Sequence, residues 1–123
     1  MPPATITLKC DLAVKEILCR AIREYAYAAY PEGGSDCAQV ARYTLLELAQ
    51  QIDAGITAAQ QQVEISRRPR VMVKAAIEYY FDRQDAVTRV SSARQRDLMI
   101  GMLQGGVASR DELAAAVTAD HAG

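Results

Sequence analysis

The sequence has no tryptophan, one phenylalanine, one histidine and three cysteines. Each scarcity excludes something. Cys10, Cys19 and Cys37 are odd in number, and their spacings fit no zinc-ligand pattern, so neither a metal site nor a full disulfide framework is expected. They read as reduced, partly buried thiols. His121 stands almost at the C-terminal end, so a catalytic pairing of histidine with serine or cysteine is not expected either. No phosphate loop, nucleophile elbow or dinucleotide fingerprint occurs, which points to a protein that is not an enzyme and takes no cofactor. No hydrophobic run approaches the roughly 18 apolar residues of a membrane span. Met1-Pro2-Pro3-Ala4 lacks a basic region and a following apolar region of the secretory kind, so the expected location is cytoplasmic with no membrane partner.

An excess of charge of one sign is also missing. The net charge is −1, which argues against a protein held to its partner by diffuse attraction to phosphates. The distribution is uneven, however. Residues 56–97 carry eight Lys/Arg against five Asp/Glu, and the segments on either side are acidic. Half the residues are hydrophobic and about a quarter are charged, ordinary for a globular chain. The length suits one domain with a substantial core.

What is present begins with a strand. In Thr5-Ile6-Thr7-Leu8-Lys9-Cys10, apolar and polar residues alternate strictly, the pattern of a half-buried strand. Asp11 can cap a helix with Leu12, Val14, Ile17, Leu18, Ala21, Ile22 and Tyr25 on its apolar face, running to about Tyr30. Pro31-Glu32-Gly33-Gly34 breaks it. Ser35 or Asp36 caps a second helix, with Val40, Leu45, Leu48 and Ile52 inward and Gly55 at its end. Thr57-Ala58-Ala59-Gln60 has the form of a capping box, so a third helix is expected over residues 58–65. Pro69 suits the first turn of a fourth helix bearing Val71, Val73, Ala76, Ile77, Tyr80, Phe81 and Val87. Ser92 opens a fifth, ended by Gly105-Gly106, and Ser109 a short sixth, from Glu112 to about Val117.

The expected fold is therefore mainly α, with one N-terminal strand and a C-terminal helical region. A lone strand leaves its peptide groups without partners. Either it pairs with the same strand of a second copy, or residues 1–10 form an extended arm. Strand, helix, Gly-containing turn and Ser/Asp-capped helix together resemble the ribbon-helix-helix proteins. Thr5-Ile6-Thr7-Leu8-Lys9 matches that family's strand in pattern. Ala41-Arg42-Tyr43-Thr44-Leu45-Leu46-Glu47-Leu48 is similar to its second helix. The resemblance covers residues 4–52.

It implies a homodimer, or a higher homo-oligomer, that lays a two-stranded ribbon in the major groove of double-stranded DNA. Thr5, Thr7 and Lys9 would face the bases. Ser35, Cys37 and the basic cluster Arg67, Arg68 and Arg70 would face phosphates. Ile6, Leu8, Val40, Leu45 and Leu48 would form the dimer core. Residues 1–55 would be the dimerisation and DNA-binding module of a repressor, antitoxin or plasmid accessory protein. Residues 56–123 would be a helical region packed on it for oligomerisation or partner binding, a protein partner docking through residues 56–119. The competing expectation is a helical adaptor or inhibitor that binds protein and no nucleic acid. Glu78, Asp82 and Asp85 share a helical face and read as solvated charge. The tyrosines at 25, 27, 30, 79 and 80 read as core edge or interface.

Overall fold

The computed structural model describes residues 4–121. The chain runs β1 (Thr5–Cys10), α1 (Leu12–Ala29), α2 (Asp36–Gly55), β2 (Gln62–Ser66), α3 (Arg70–Thr88), α4 (Ala93–Gly101), β3 (Val107–Ala108) and α5 (Arg110–His121). Helix dominates, as the periodicity predicts. The side chain of His121 lies outside the described residues.

The alternation in β1 sets its faces as expected. Leu8 and Cys10 are buried, while Thr5 and Lys9 face solvent. Its partner differs from the expectation. β1 pairs antiparallel with β2, from Thr5 opposite Ser66 to Lys9 opposite Gln62, and parallel with β3 at its other edge. The sheet order is β2-β1-β3, so the N-terminal strand lies in the centre. The peptide groups of β1 on the β2 side find their partners in the same chain. The long pairing of β1 is therefore with its own chain, while β3 takes up its other edge only at Lys9 and Cys10.

The correction originates at residues 58–65. Thr57 does act as a cap: its Oγ1 accepts from the Gln60 amide at 3.0 Å, and its own amide donates to the Gln60 carbonyl at 2.9 Å. These bonds close a turn and start no helix. Beyond it Val63 and Ile65 alternate with Gln62, Glu64 and Ser66, and β-branched residues at period 2 favour a strand. Gly55 makes the return possible. A Cβ there would lie 2.4 Å from a methyl of Val63, so only a bare α-carbon lets the end of α2 sit against β2.

α1 and α2 form an antiparallel hairpin tied at three levels. The Lys15 ammonium donates to the Asp53 and Ile56 carbonyls at 3.1 Å each and lies 3.3 Å from the Asp53 carboxylate, placing a cation on the C-terminal end of α2. Midway, Cys19 Sγ donates to the Ala49 carbonyl. At the far end, Arg42 donates to the Tyr30 carbonyl at 3.2 Å. The one core gathers Leu8, Val14, Leu18 and Ile22 with Leu45, Ile52, Ile77, Met99 and Leu113. Both this core and the sheet draw on residues either side of the boundary expected at residue 55.

Of the residues anticipated as a dimer core, Leu8, Leu45 and Leu48 are buried within one chain, Ile6 is partly buried, and Val40 is exposed. Ser92 also differs from expectation. It makes no cap on α4; its amide and hydroxyl both donate to Asp85. The expected cap at Ser109 is present, its Oγ accepting from the Glu112 amide at 3.2 Å.

The two thiols inside the core make a measurable prediction. Burial pushes Cys10 up to about 12 and Cys19 up to about 11 from the ordinary 9.0. Both folded values exceed the unfolded one. Their contribution is whole below about 9 and is lost as pH rises, because the unfolded chain releases these protons first. Under reducing conditions the urea midpoint should fall between about pH 8 and about pH 10.5, less so in Cys19→Ala. Iodoacetamide should modify only the exposed Cys37 in the native protein and all three thiols after denaturation.

Candidate functional site

The solvent-facing side of the sheet carries Thr5, Thr7 and Lys9 on β1 and Gln62, Glu64 and Ser66 on β2. Thr7 stands opposite Glu64 and Lys9 opposite Gln62, so the face is polar and mixed in charge. The residues anticipated as base readers therefore do point outward, on a face built by a single chain.

The anticipated phosphate contacts divide. Ser35 is the N-cap of α2, and its hydroxyl already accepts from the Ala38 amide at 3.2 Å. Arg67 is half-buried, and its amide continues the ladder by donating to the Ala4 carbonyl. Arg70 opens α3 with its amide bound to the Arg67 carbonyl. Cys37 and Arg68 do come together, on the walls of one groove.

That groove is the main concave feature of the α2 side. Its volume is about 480 Å³. One wall is α2, through Cys37, Val40, Ala41, Thr44 and Leu48, and the other is the β2–α3 connection, through Ser66, Arg68, Pro69 and Met72. The lining is mostly apolar, with Glu47 and Arg68 supplying one charge of each sign. Gly55 brings the C-terminal end of α2 against β2, and Pro69 leads the chain into α3, while Val40 on the N-terminal half of α2 stays exposed.

Beside the groove, α2 presents an aromatic and cationic cluster. Arg42 is 6% exposed and is the one buried charged residue among those described. Its guanidinium donates to the Tyr30 carbonyl and to Gln39, and it lies 5.9 Å and 5.5 Å from the rings of Tyr27 and Tyr43. Hydrogen bonds and cation–π contacts hold it without a carboxylate. Both tyrosines remain exposed. Tyr25 instead packs edge-on to Tyr30 and Tyr79, joining α1 to α3. The tyrosines thus split into a core-edge set, Tyr25, Tyr30 and Tyr79, and an exposed pair, Tyr27 and Tyr43.

Among the described residues no group of histidine, cysteine, aspartate and glutamate has the arrangement of a metal site. The acidic face on α3 gives Asp85 a structural task, through Ser92. No helix among the described residues is long and apolar enough to cross a membrane. Sequence reasoning did not anticipate β2 or the groove. Alternation at Val63 and Ile65 was the available signal for the strand. The groove joins residues about 30 positions apart, and no local pattern encodes it.

No protein-family model, curated protein or solved structure matches the chain.

Proposed function

We propose that this chain is a protein-binding module, of the adaptor or inhibitor kind, whose docking surface is the groove between α2 and the β2–α3 connection. The observation that carries this reading is Val40 and Tyr43, each 63% exposed, on α2 at the groove and beside it. Exposed apolar side chains scattered singly are ordinary. Val40 is different because it lines a concave apolar wall, next to a guanidinium held against two exposed tyrosines. Tyrosine and arginine are the residues that most often dominate binding energy at interfaces. Their rings are already oriented by Arg42, which reduces the ordering cost of association. The occupant is an apolar side chain or two from another protein. The near-neutral charge of the chain favours such a partner over a polyanion.

Panning displayed random peptides against the immobilised protein tests the reading. Selected binders should lose roughly tenfold or more in affinity on Val40→Asp, the burial of one unpaired charge. They should be unaffected by Val87→Asp, an exposed site on α3 that is not part of the groove. Equal binding to Val40→Asp and the unaltered protein overturns it.

One observation favours a second reading. Thr5, Thr7 and Lys9 all stand on the solvent face of the sheet, with residue types suited to base edges. In that reading the chain is a DNA-binding regulator that presents its own sheet in the major groove, with Arg67, Arg68 and Arg70 near phosphates. Gel shifts on duplex DNA across a salt series separate the two. Binding that weakens steeply with salt and loses sequence preference in Lys9→Ala supports the DNA reading. No shift at low salt removes it.

A further inference from the structure

We infer that the partner enters as an extended strand that adds to the free edge of β2, antiparallel, with a basic residue opposite Glu64 and an apolar neighbour directed toward the groove. This rests on the protein-binding reading above and specifies its mode.

Hydrogen-bond parity on β2 identifies the free groups. The Cys10 amide donates to the Gln61 carbonyl, and the Arg67 amide donates to the Ala4 carbonyl. Odd-numbered residues of β2 therefore face β1, and the peptide groups of Gln62, Glu64 and Ser66 point away from the sheet. On the other side of the sheet β3 is only two residues long, and the stretch of β1 beyond it, Thr5–Leu8, has no acidic residue to select a basic partner. One end of the β2 edge is already occupied, because Gln60 Nε2 donates to the Gln62 carbonyl at 3.3 Å. The open stretch is centred on Glu64 and Ser66, and Ser66 itself lines the groove.

The side chains determine what fits. Residues opposite Gln62, Glu64 and Ser66 would lie on the solvent face, and those between them on the face where α2 packs. An incoming strand thus carries an apolar residue toward Leu48 and Met72 and a polar one beside Glu64. A second copy of this chain is a poor occupant. In the antiparallel register of greatest overlap, Glu64 would stand directly opposite its own equivalent, and like charges there are destabilising. A lysine or arginine opposite Glu64 satisfies the same geometry with the sign reversed. In the antiparallel sense that one residue exchanges both backbone bonds with Glu64.

A set of labelled seven-residue peptides, alternating threonine and valine with lysine or glutamate at the centre, tests this by fluorescence polarisation. The lysine-centred peptide should bind the better of the two, and Glu64→Lys should reverse the preference. N-methylation of the central residue should weaken binding roughly tenfold, while N-methylation of its neighbour, whose amide points outward, should change it less than about twofold. Binding that is insensitive to both Glu64→Lys and the site of N-methylation overturns the strand mode, as does no binding by either peptide at about 1 mM. If Val40→Asp still weakens the panned peptides in either case, the groove stands as a docking site and only the strand mode is lost. If Val40→Asp has no effect on them, the docking reading itself fails.

Discussion

Leu8→Asp should leave the protein unfolded, and Leu8→Ala should lower its stability by about 2–5 kcal/mol. Leu8 is fully buried at the centre of the middle strand, opposite Val63 and among α1 and α2 side chains. A carboxylate there has no partner to offset its desolvation, and the cost exceeds much of a small domain's total stability of roughly 5–15 kcal/mol. Urea unfolding followed by circular dichroism reads both variants. The alanine variant also discriminates between architectures. Where Leu8 packs inside one chain, the unfolding midpoint is independent of protein concentration. In a shared ribbon it rises with concentration. A folded Leu8→Asp protein, or a concentration-dependent midpoint, contradicts the central placement of β1.

Asp11→Ala should cost about 2–4 kcal/mol, far more than an ordinary surface substitution. The side chain serves two helices. Oδ1 accepts from the Val14 amide at 3.1 Å and caps α1, while Oδ2 accepts from the Arg110 amide at 2.7 Å, at the first residue of α5. Asp11 and Arg110 are 99 positions apart along the chain, so one carboxylate joins α1 to α5. Asp11→Asn separates the two roles. Its single carbonyl oxygen can retain the α1 cap, but the amide nitrogen cannot accept from Arg110. The asparagine variant should therefore recover roughly half the loss. Hydrogen exchange should be accelerated in α5 for both variants and in the first turn of α1 for the alanine variant alone. Equal protection of α5 in Asp11→Asn and the unaltered protein would remove the long-range bond from the account.

Much of this architecture was legible in the sequence. Asp11 and Ser35 announced their helices because a cap is a local bond, made within three residues. The inward set Leu8, Leu45, Leu48 and Ile52 followed from period alone. What misled was the same kind of signal read one step too far. Thr57 makes the hydroxyl bond of a capping box to the Gln60 amide, but its own amide donates to the Gln60 main-chain carbonyl, which is the bond of a turn. Whether a helix follows depended on Val63 and Ile65, whose strand is stabilised by residues 6 and 8. Local chemistry could name the cap but not the pairing. The same holds for the groove, since Val40 occupies a core-like position on the helix period yet is exposed in the fold.

The sheet order has a consequence for how the protein is made. The innermost strand, β1, precedes both of its neighbours along the chain, which follow at residues 62–66 and 107–108. A growing polypeptide therefore carries an open seam beside Leu8 and Cys10 until residues 107–108 have left the ribosome. The α1–α2 hairpin can condense early from nearby contacts, whereas closure of the sheet waits on contacts distant along the chain, which form slowly. The aggregation-prone surface beside β1 is covered only once residues 107–108 have joined the sheet.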